Sequence, residues 1–78
     1  MHNVIPKNTR VIKATFKNEP LKHLGTLILM PAKCSNGWVA QLKNGTWGNI
    51  LTSYLEDSDM CDIQCFNSFN EYHKVEKI

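Results

Sequence analysis

The chain has 78 residues, of which 42% are hydrophobic, and a formal net charge of +2. This length predicts one small domain that spans residues 1–78, and the apolar content excludes an intrinsically disordered chain. Residues 1–55 carry seven basic side chains against one acidic, and residues 56–78 carry two against six. That asymmetry permits an anionic partner, but it also fits an ordinary surface of mixed charge.

Two strands are predicted in the first part of the chain. Residues 1–8 are expected to form a loose lead-in, with an extended Ile5 before Pro6. Residues 9–16 alternate in polarity, as a half-buried strand does, and place Ile12, Ala14 and Phe16 on one face. A charged loop follows over residues 17–24. Residues 26–30 are almost all apolar, which predicts a strand that is covered on both faces or one that continues under a neighbouring strand.

Residues 37–55 predict a β-hairpin. The dipeptide Asn44-Gly45 between two apolar runs favours a two-residue type I′ turn, which needs positive φ at both residues. Across such a turn, Val39 faces Ile50. One face of the hairpin then holds five apolar side chains, and the other holds Val39, Gln41, Gly48 and Ile50. The five are Trp38, Ala40, Leu42, Trp47 and Leu51.

The remaining segments predict a helical turn, a strand and a short extension. Residues 52–55 favour the helical turn, and residues 60–66 alternate so that Cys61, Ile63 and Cys65 face the core. In residues 67–78 an apolar side chain recurs every third position from Phe69 to Ile78, which fits a helix, with a strand as the alternative. Five short strands with tight turns predict an all-β fold, a small five-stranded barrel. Its core covers about residues 9–66, and residues 67–78 form a C-terminal extension.

Residues 48–56, GNILTSYLE, resemble the end of an SH3 domain. Gly48, Ile50, Tyr54 and Leu55 match the family in kind and spacing, and Leu51 stands where the family has proline. Residues 37–39 resemble the strand of the family that begins with the ligand-binding tryptophan. Residues 25–28 resemble the glycine of the family and the strand that follows it. Residues 14–16 resemble the first motif of the family. The resemblance covers about residues 9–60. It implies an SH3-like barrel of the stand-alone bacterial or phage type.

The same resemblance implies which hairpin face is exposed. The barrel interior of the family uses the positions of Val39 and Ile50, so the face with the tryptophans is left at the surface. An exposed aromatic patch indicates an interaction surface. We therefore predict a non-enzymatic, phage-encoded accessory or inhibitory protein that binds a host protein. Its partner-binding residues would be Trp38, Trp47, Leu51 and Tyr54. For Trp47 and Leu42 an alternative stays open, in which residues 60–78 fold back and cover them.

A departure from the family argues against a proline-rich ligand. The loop before Gly25 is shorter than in the family, and Lys17, Asn18 and Lys22 stand where acidic side chains would bind a basic, proline-rich peptide. The expected partner is therefore a protein of another kind.

No group of residues predicts catalysis, a metal or a cofactor. Cys61 and Cys65 on one strand would lie about 13 Å apart, which is too far to share one zinc ion. Cys34 has no visible third group that would make it a nucleophile with His23. There is no glycine-rich phosphate loop. We predict that the protein is not an enzyme and holds no cofactor and no metal.

Nucleic acid is the alternative partner. The basic side chains of the first part would line one side, with Trp38 or Phe16 as a platform for stacked bases. The single arginine argues against this reading, because arginine is the preferred reader of phosphates and bases. The candidate residues are Arg10, Lys13, Lys17, Lys22, Lys33 and Lys43.

Cysteine content and hydropathy bear on location and assembly. Three cysteines, an odd number, argue against a closed disulfide framework and favour reduced thiols. No apolar run has the length of a signal peptide or a membrane span. We therefore expect a cytoplasmic protein, in the host cytoplasm if phage-encoded, without a membrane partner. A core of this small size is also compatible with either a partner or a homo-oligomer.

Overall fold

The structure, a computed structural model, describes residues 2–33 and 37–76. These residues form a mostly β fold with one five-stranded antiparallel sheet and two short helices. All five predicted strands are confirmed, and so is the helical turn after the hairpin. The strands are β1 Val11–Phe16, β2 Thr26–Pro31, β3 Gly37–Gln41, β4 Trp47–Leu51 and β5 Cys61–Phe66. The helices are α1 Thr52–Glu56 and α2 Phe69–Glu76, and a 3₁₀ turn spans Lys22–Leu24.

The strand order in the sheet is β4-β3-β2-β1-β5. The first four strands follow one another as antiparallel neighbours, and β5 returns to pair with β1. Ala14 in β1 lies opposite Leu27 on one side and Ile63 on the other. Within the described ranges β4 and β5 end the sheet order and no ladder joins them. Closure of the sheet into a barrel therefore stays a prediction.

The core lies on the inner face of this sheet. Ile12, Ala14 and Phe16 are buried there, as their alternation predicts. Cys61 is buried beside them, and Ile63 and Cys65 pack against the same cluster, which confirms the predicted inner face of β5. The cluster comprises Ile12, Ala14, Phe16, Leu27, Leu29, Trp38, Ala40, Ile50, Leu55 and Cys61.

The outer face is covered less completely. Only the inner residues of β2, Leu27 and Leu29, are buried, and Ile28 and Met30 on the outer side are half-buried. The prediction that β2 is covered on both faces is therefore wrong. The cover that exists comes from α2, whose Tyr72 ring meets the buried Phe66 edge-on at 5.4 Å between centroids.

The sequence predicted either a helix or a strand in the C-terminal stretch, and the structure has a helix there, α2. Ser68 caps it, because the Ser68 hydroxyl accepts the backbone N–H of Glu71 at 3.1 Å. The Glu71 carboxylate reaches back and accepts the backbone N–H of Asn67 at 2.8 Å. The first bond satisfies an N–H group that the helix start leaves unpaired, and the second satisfies the N–H of the residue before the cap, a variant of the capping box.

The N-terminal segment is tied down, so the prediction of a loose lead-in is wrong. The Asn3 amide donates to the carbonyl oxygens of Leu55 at 3.0 Å and Cys61 at 2.9 Å. The backbone N–H of Asn3 donates to the carbonyl of Glu56 at 2.7 Å. A single side chain therefore joins the chain start to α1 and β5. No helix in the described part of the chain is long and apolar enough to cross a membrane.

Candidate functional site

The turn of the β3–β4 hairpin contains three residues, not the predicted two. The Leu42 N–H donates to the Thr46 carbonyl at 2.8 Å, and the Gly45 N–H donates to the Leu42 carbonyl at 3.0 Å. Gly45 has a φ of +87°, and no other residue of the turn has a positive φ. This is a type I turn followed by a left-handed glycine, the common three-residue hairpin loop.

The side chain of Asn44 accounts for this choice of turn. Its oxygen accepts the backbone N–H of Thr46 at 3.0 Å and the Thr46 hydroxyl at 2.6 Å. These bonds hold Asn44 in a right-handed conformation with its side chain folded over the turn. The two-residue type I′ turn would need positive φ at Asn44 as well.

The extra turn residue changes the pairing of the strands by one position. Trp38 lies opposite Ile50, and Gln41 lies opposite Trp47. The predicted pairing of Val39 with Ile50 is wrong. A shift of one residue moves one strand's side chains to the opposite face relative to the other strand. The two tryptophans, which the sequence placed on one face, therefore lie on opposite faces of the sheet.

Trp38 belongs to the core. It is 8% exposed and lies in the buried cluster with Ile50. The prediction that Trp38 is exposed is wrong, because the register set by the three-residue turn places it on the same face as the buried Ile50. Val39, predicted inside, is half-buried on the outer face. Leu42 is half-buried and packs against the core cluster.

Three of the four predicted partner-binding residues are exposed. Trp47 is 60% exposed and Leu51 is 56% exposed, both on the outer side of β4. Tyr54 is 38% exposed on α1, three residues after Leu51. Trp47 is open to solvent, which contradicts the alternative in which residues 60–78 cover it; residues 77–78 of that segment lie outside the described residues. Leu51 and Trp47 alternate along β4 with Ile50, which is buried on the other side.

We call this surface the outer hairpin face and define it by the side chains that share it. None of them is charged, and Lys43 in the turn is the nearest charged residue along the hairpin. An uncharged surface with two large, exposed apolar side chains is unusual for a chain of this size and fits a contact with another macromolecule. The outer hairpin face comprises Trp47, Asn49 and Leu51 of β4 with Val39 and Gln41 of β3.

The cysteines in the described ranges have a structural environment. The Cys61 thiol donates to the carbonyl oxygens of Tyr54 at 3.6 Å and Leu55 at 3.7 Å. Burial raises the pKa of Cys61, and the negative charges of Asp62 and Asp57 raise it further. Burial also raises the pKa of Cys65. A raised pKa keeps both thiols protonated and unreactive at neutral pH.

The described residues bring together no metal site. Among them, no three side chains of His, Cys, Asp or Glu lie close enough to hold an ion. Cys34, a candidate in the sequence, lies outside the described residues.

The predicted nucleic-acid residues are dispersed. Lys17 pairs with Asp62 at 3.2 Å, and Lys13 is half-buried in the middle of β1. Lys22 lies on the 3₁₀ turn and Lys43 in the hairpin turn, both away from the start of β1. The two predicted stacking platforms are wrong, since Trp38 is 8% and Phe16 is 4% exposed.

Arg10 and Lys33 do converge on one groove. Together with Phe69 of α2, which is 43% exposed, they line an open groove of about 480 Å³. Met30, Pro31 and Ala32 complete its lining, and among the described residues no carboxylate lines it. Sequence reasoning missed Phe69 as part of a site, because its spacing with Tyr72 only indicated the buried face of a helix. The sequence contains no signal for this role, because the groove depends on where α2 packs against the sheet.

Comparisons of the chain with protein-family models, with curated proteins and with solved structures found no match.

Proposed function

We propose that this chain is a non-enzymatic binding module that docks on a protein partner through the outer hairpin face. The observation that carries the proposal is the exposure of Trp47 and Leu51 on one uncharged face of β4. Tyr54 on α1 extends the surface. Trp and Tyr are the side chains that most often dominate the binding energy of an interface.

The physical argument rests on the free energy of leaving these side chains in water. Full burial of a large apolar side chain stabilises a protein by about 1.5–3 kcal/mol. The chain has an inner face that accommodates Trp38, yet it leaves Trp47 60% exposed. A partner that covers Trp47 and Leu51 recovers that free energy at the interface.

The finer parts of the proposal concern the fold family and the setting. We propose that the sheet closes into an SH3-like barrel, which the resemblance of residues 48–56 and the position of α1 between β4 and β5 support. Within that proposal the protein acts in the cytoplasm, in the host cytoplasm if phage-encoded, as an accessory or inhibitory factor.

Affinity capture with matched variants tests the binding module. Proteins retained from lysate by the immobilised wild type are compared with those retained by Trp47→Ala and Leu51→Ala, after nuclease treatment. Both variants should lose the same retained protein, while Lys43→Ala, a change at an exposed position of the same hairpin, keeps it. Retention that neither Trp47→Ala nor Leu51→Ala reduces contradicts the proposal.

A second candidate function is the binding of single-stranded nucleic acid in the groove between Arg10, Lys33 and Phe69. Two cations, with no carboxylate among the described residues of the lining, suit phosphates, and an exposed aromatic ring offers a surface for base stacking. The residues that support it are only two of the six basic residues that the sequence indicated.

A salt titration of oligonucleotide binding tests this second function. Two phosphate contacts predict a slope of about −1.4 for the logarithm of the binding constant against that of salt concentration. The double variant Arg10→Ala/Lys33→Ala should abolish binding, whereas Lys22→Ala/Lys43→Ala, which removes the same charge elsewhere, should retain it. Equal effects of the two double variants contradict a site in the groove.

A further inference from the structure

Strands β2 and β3 pair at one end and separate at the other. Within the described part of the chain, their ladder reaches no further towards the hairpin turn than the pair of Met30 with Val39. In the same register Leu27 of β2 would lie opposite Leu42, which follows β3. Instead, an open pocket of about 330 Å³ is present there, and both leucines line it.

One wall of the pocket consists of three leucines. Leu27 is buried, whereas Leu24 and Leu42 are half-buried and pack against the core cluster. Leu42 lies over Gly48, where a methyl group would come within 3.2 Å of both δ carbons of the leucine. The glycine therefore lets Leu42 pack close to β4. The two half-buried leucines leave apolar surface that a ligand can cover.

The opening of the pocket carries three exposed polar side chains, and each can donate a hydrogen bond. Lys43 contributes an ammonium group and His23 a ring N–H. The amide oxygen of Asn44 already accepts two hydrogen bonds from Thr46, so the nitrogen end of the amide serves a ligand, and it donates. No carboxylate lines the pocket in the ranges that the structure describes. The opening therefore suits a negatively charged acceptor.

We propose that this pocket binds a small carboxylic acid with a hydrocarbon tail, such as a medium-chain fatty acid. The tail lies against the leucines, and the carboxylate meets Lys43 and Asn44 at the opening. Ligand sites are concave and mostly apolar, carry a few polar groups and occupy about 300–1,000 Å³. At about 330 Å³ the pocket is at the lower end of that range, which favours a small molecule over a segment of protein.

Charge selects the carboxylate over other small molecules with an apolar tail. An amine would bring a second positive charge beside Lys43, with no counter-charge among the described residues that line the pocket. An alcohol gains the leucine contacts but no charge pair. A carboxylate gains both, and a hydrogen bond between charged groups is about twice as strong as a neutral one.

The inference goes beyond the proposed function and concerns a different surface. The outer hairpin face lies on one side of the sheet, whereas Leu42 packs against the core cluster on the other side. Ligand binding is measured on the purified chain, so its failure leaves the protein-binding proposal standing. The capture experiment contains no added carboxylate, so its failure leaves the pocket standing.

Titration of the isotope-labelled chain with sodium octanoate, followed by NMR, tests the proposal. The backbone amide signals of Leu24, Leu42 and Asn44 should shift together and saturate. Each fully buried methylene tightens binding about fourfold, so octanoate should bind at least about threefold more tightly than hexanoate. Acetate has the same charge but no tail, and it should cause no saturable shift.

Two variants test the polar part of the pocket. Lys43→Ala should weaken octanoate binding about twofold to fivefold, the effect of one exposed charge pair, and leave the binding of octan-1-ol unchanged. Asn44→Asp keeps an oxygen that accepts from Thr46 but replaces the donor with a negative charge, so it should weaken octanoate binding at least as much. Lys74→Ala removes the same charge from an exposed position of α2, outside the pocket, and is the matched control.

Circular dichroism of each variant establishes that the fold persists. Octanoate that causes no saturable shift of the pocket amides up to about 10 mM overturns the proposal. Equal dissociation constants for hexanoate and octanoate overturn it as well, because a surface lysine alone would attract both equally. So do folded Lys43→Ala and Asn44→Asp variants that bind octanoate as tightly as Lys74→Ala does.

Discussion

Asn3 is a single side chain that joins three parts of the molecule. Its amide donates to the carbonyls of Leu55 and Cys61, at positions where α1 ends and β5 begins. Removal of the amide leaves both carbonyl oxygens without this donor. Nothing in the sequence predicts these bonds, because the partners lie 52 and 58 residues further along the chain.

Asn3→Ala should lower the free energy of unfolding by about 1–3 kcal/mol, since two partly buried hydrogen bonds are lost. The measurement is the midpoint of urea denaturation. Asn8→Ala, at an exposed position of the same segment, is the control and should change stability by less than about 0.5 kcal/mol. Equal midpoints for the two variants would mean that Asn3 does not fix the N-terminal segment.

The buried thiol of Cys61 predicts a pH dependence of stability. Burial raises its pKa in the folded state above the ordinary value of 9.0, so the folded protein holds the proton where the unfolded chain releases it. The contribution is fully present below pH 9.0 and is lost as pH rises through the folded pKa. Urea midpoints should therefore fall more steeply above pH 9.0 in the wild type than in Cys61→Ala. Parallel profiles would contradict this assignment.

At the scale of elements, the hairpin shows both what the sequence predicts and where it fails. The alternation of residues 9–16 and 60–66 predicts the inner faces of β1 and β5 correctly, because a half-buried strand has a strict period of two. The Asn44-Gly45 pair predicts a hairpin correctly but its length wrongly. Two- and three-residue turns both place glycine in a left-handed conformation, and the hydrogen bonds of Asn44 to Thr46 decide between them.

Gly45→Ala should destabilise the protein by about 1 kcal/mol. The φ of +87° disfavours any side chain there, and a methyl group at this position would meet no atom within 4 Å, so the penalty is purely conformational. Lys43→Ala in the same turn is the control and should be nearly neutral. The comparison uses urea denaturation of both variants. A Gly45→Ala protein as stable as wild type would contradict the left-handed glycine of the three-residue turn.

At the scale of the whole molecule, one turn residue decides which tryptophan faces solvent. The sequence predicts that Trp47, Leu51 and Tyr54 are exposed, and they are, but it predicts the same of Trp38 because a two-residue turn keeps both tryptophans together. The groove of Arg10, Lys33 and Phe69 could not be predicted, since it depends on where α2 packs against the sheet. Side-chain alternation defines faces within a strand, whereas contacts between distant segments need the tertiary structure.

The placement of the two tryptophans carries the proposed function, and acrylamide quenching of Trp47→Phe tests it most directly. The only tryptophan left in this variant is Trp38. Its fluorescence should be blue-shifted and several-fold less sensitive to acrylamide than that of the same protein unfolded in urea, because Trp38 is 8% exposed. A Trp38 that is quenched in the folded protein as readily as in urea would contradict the three-residue turn and the outer hairpin face built on it.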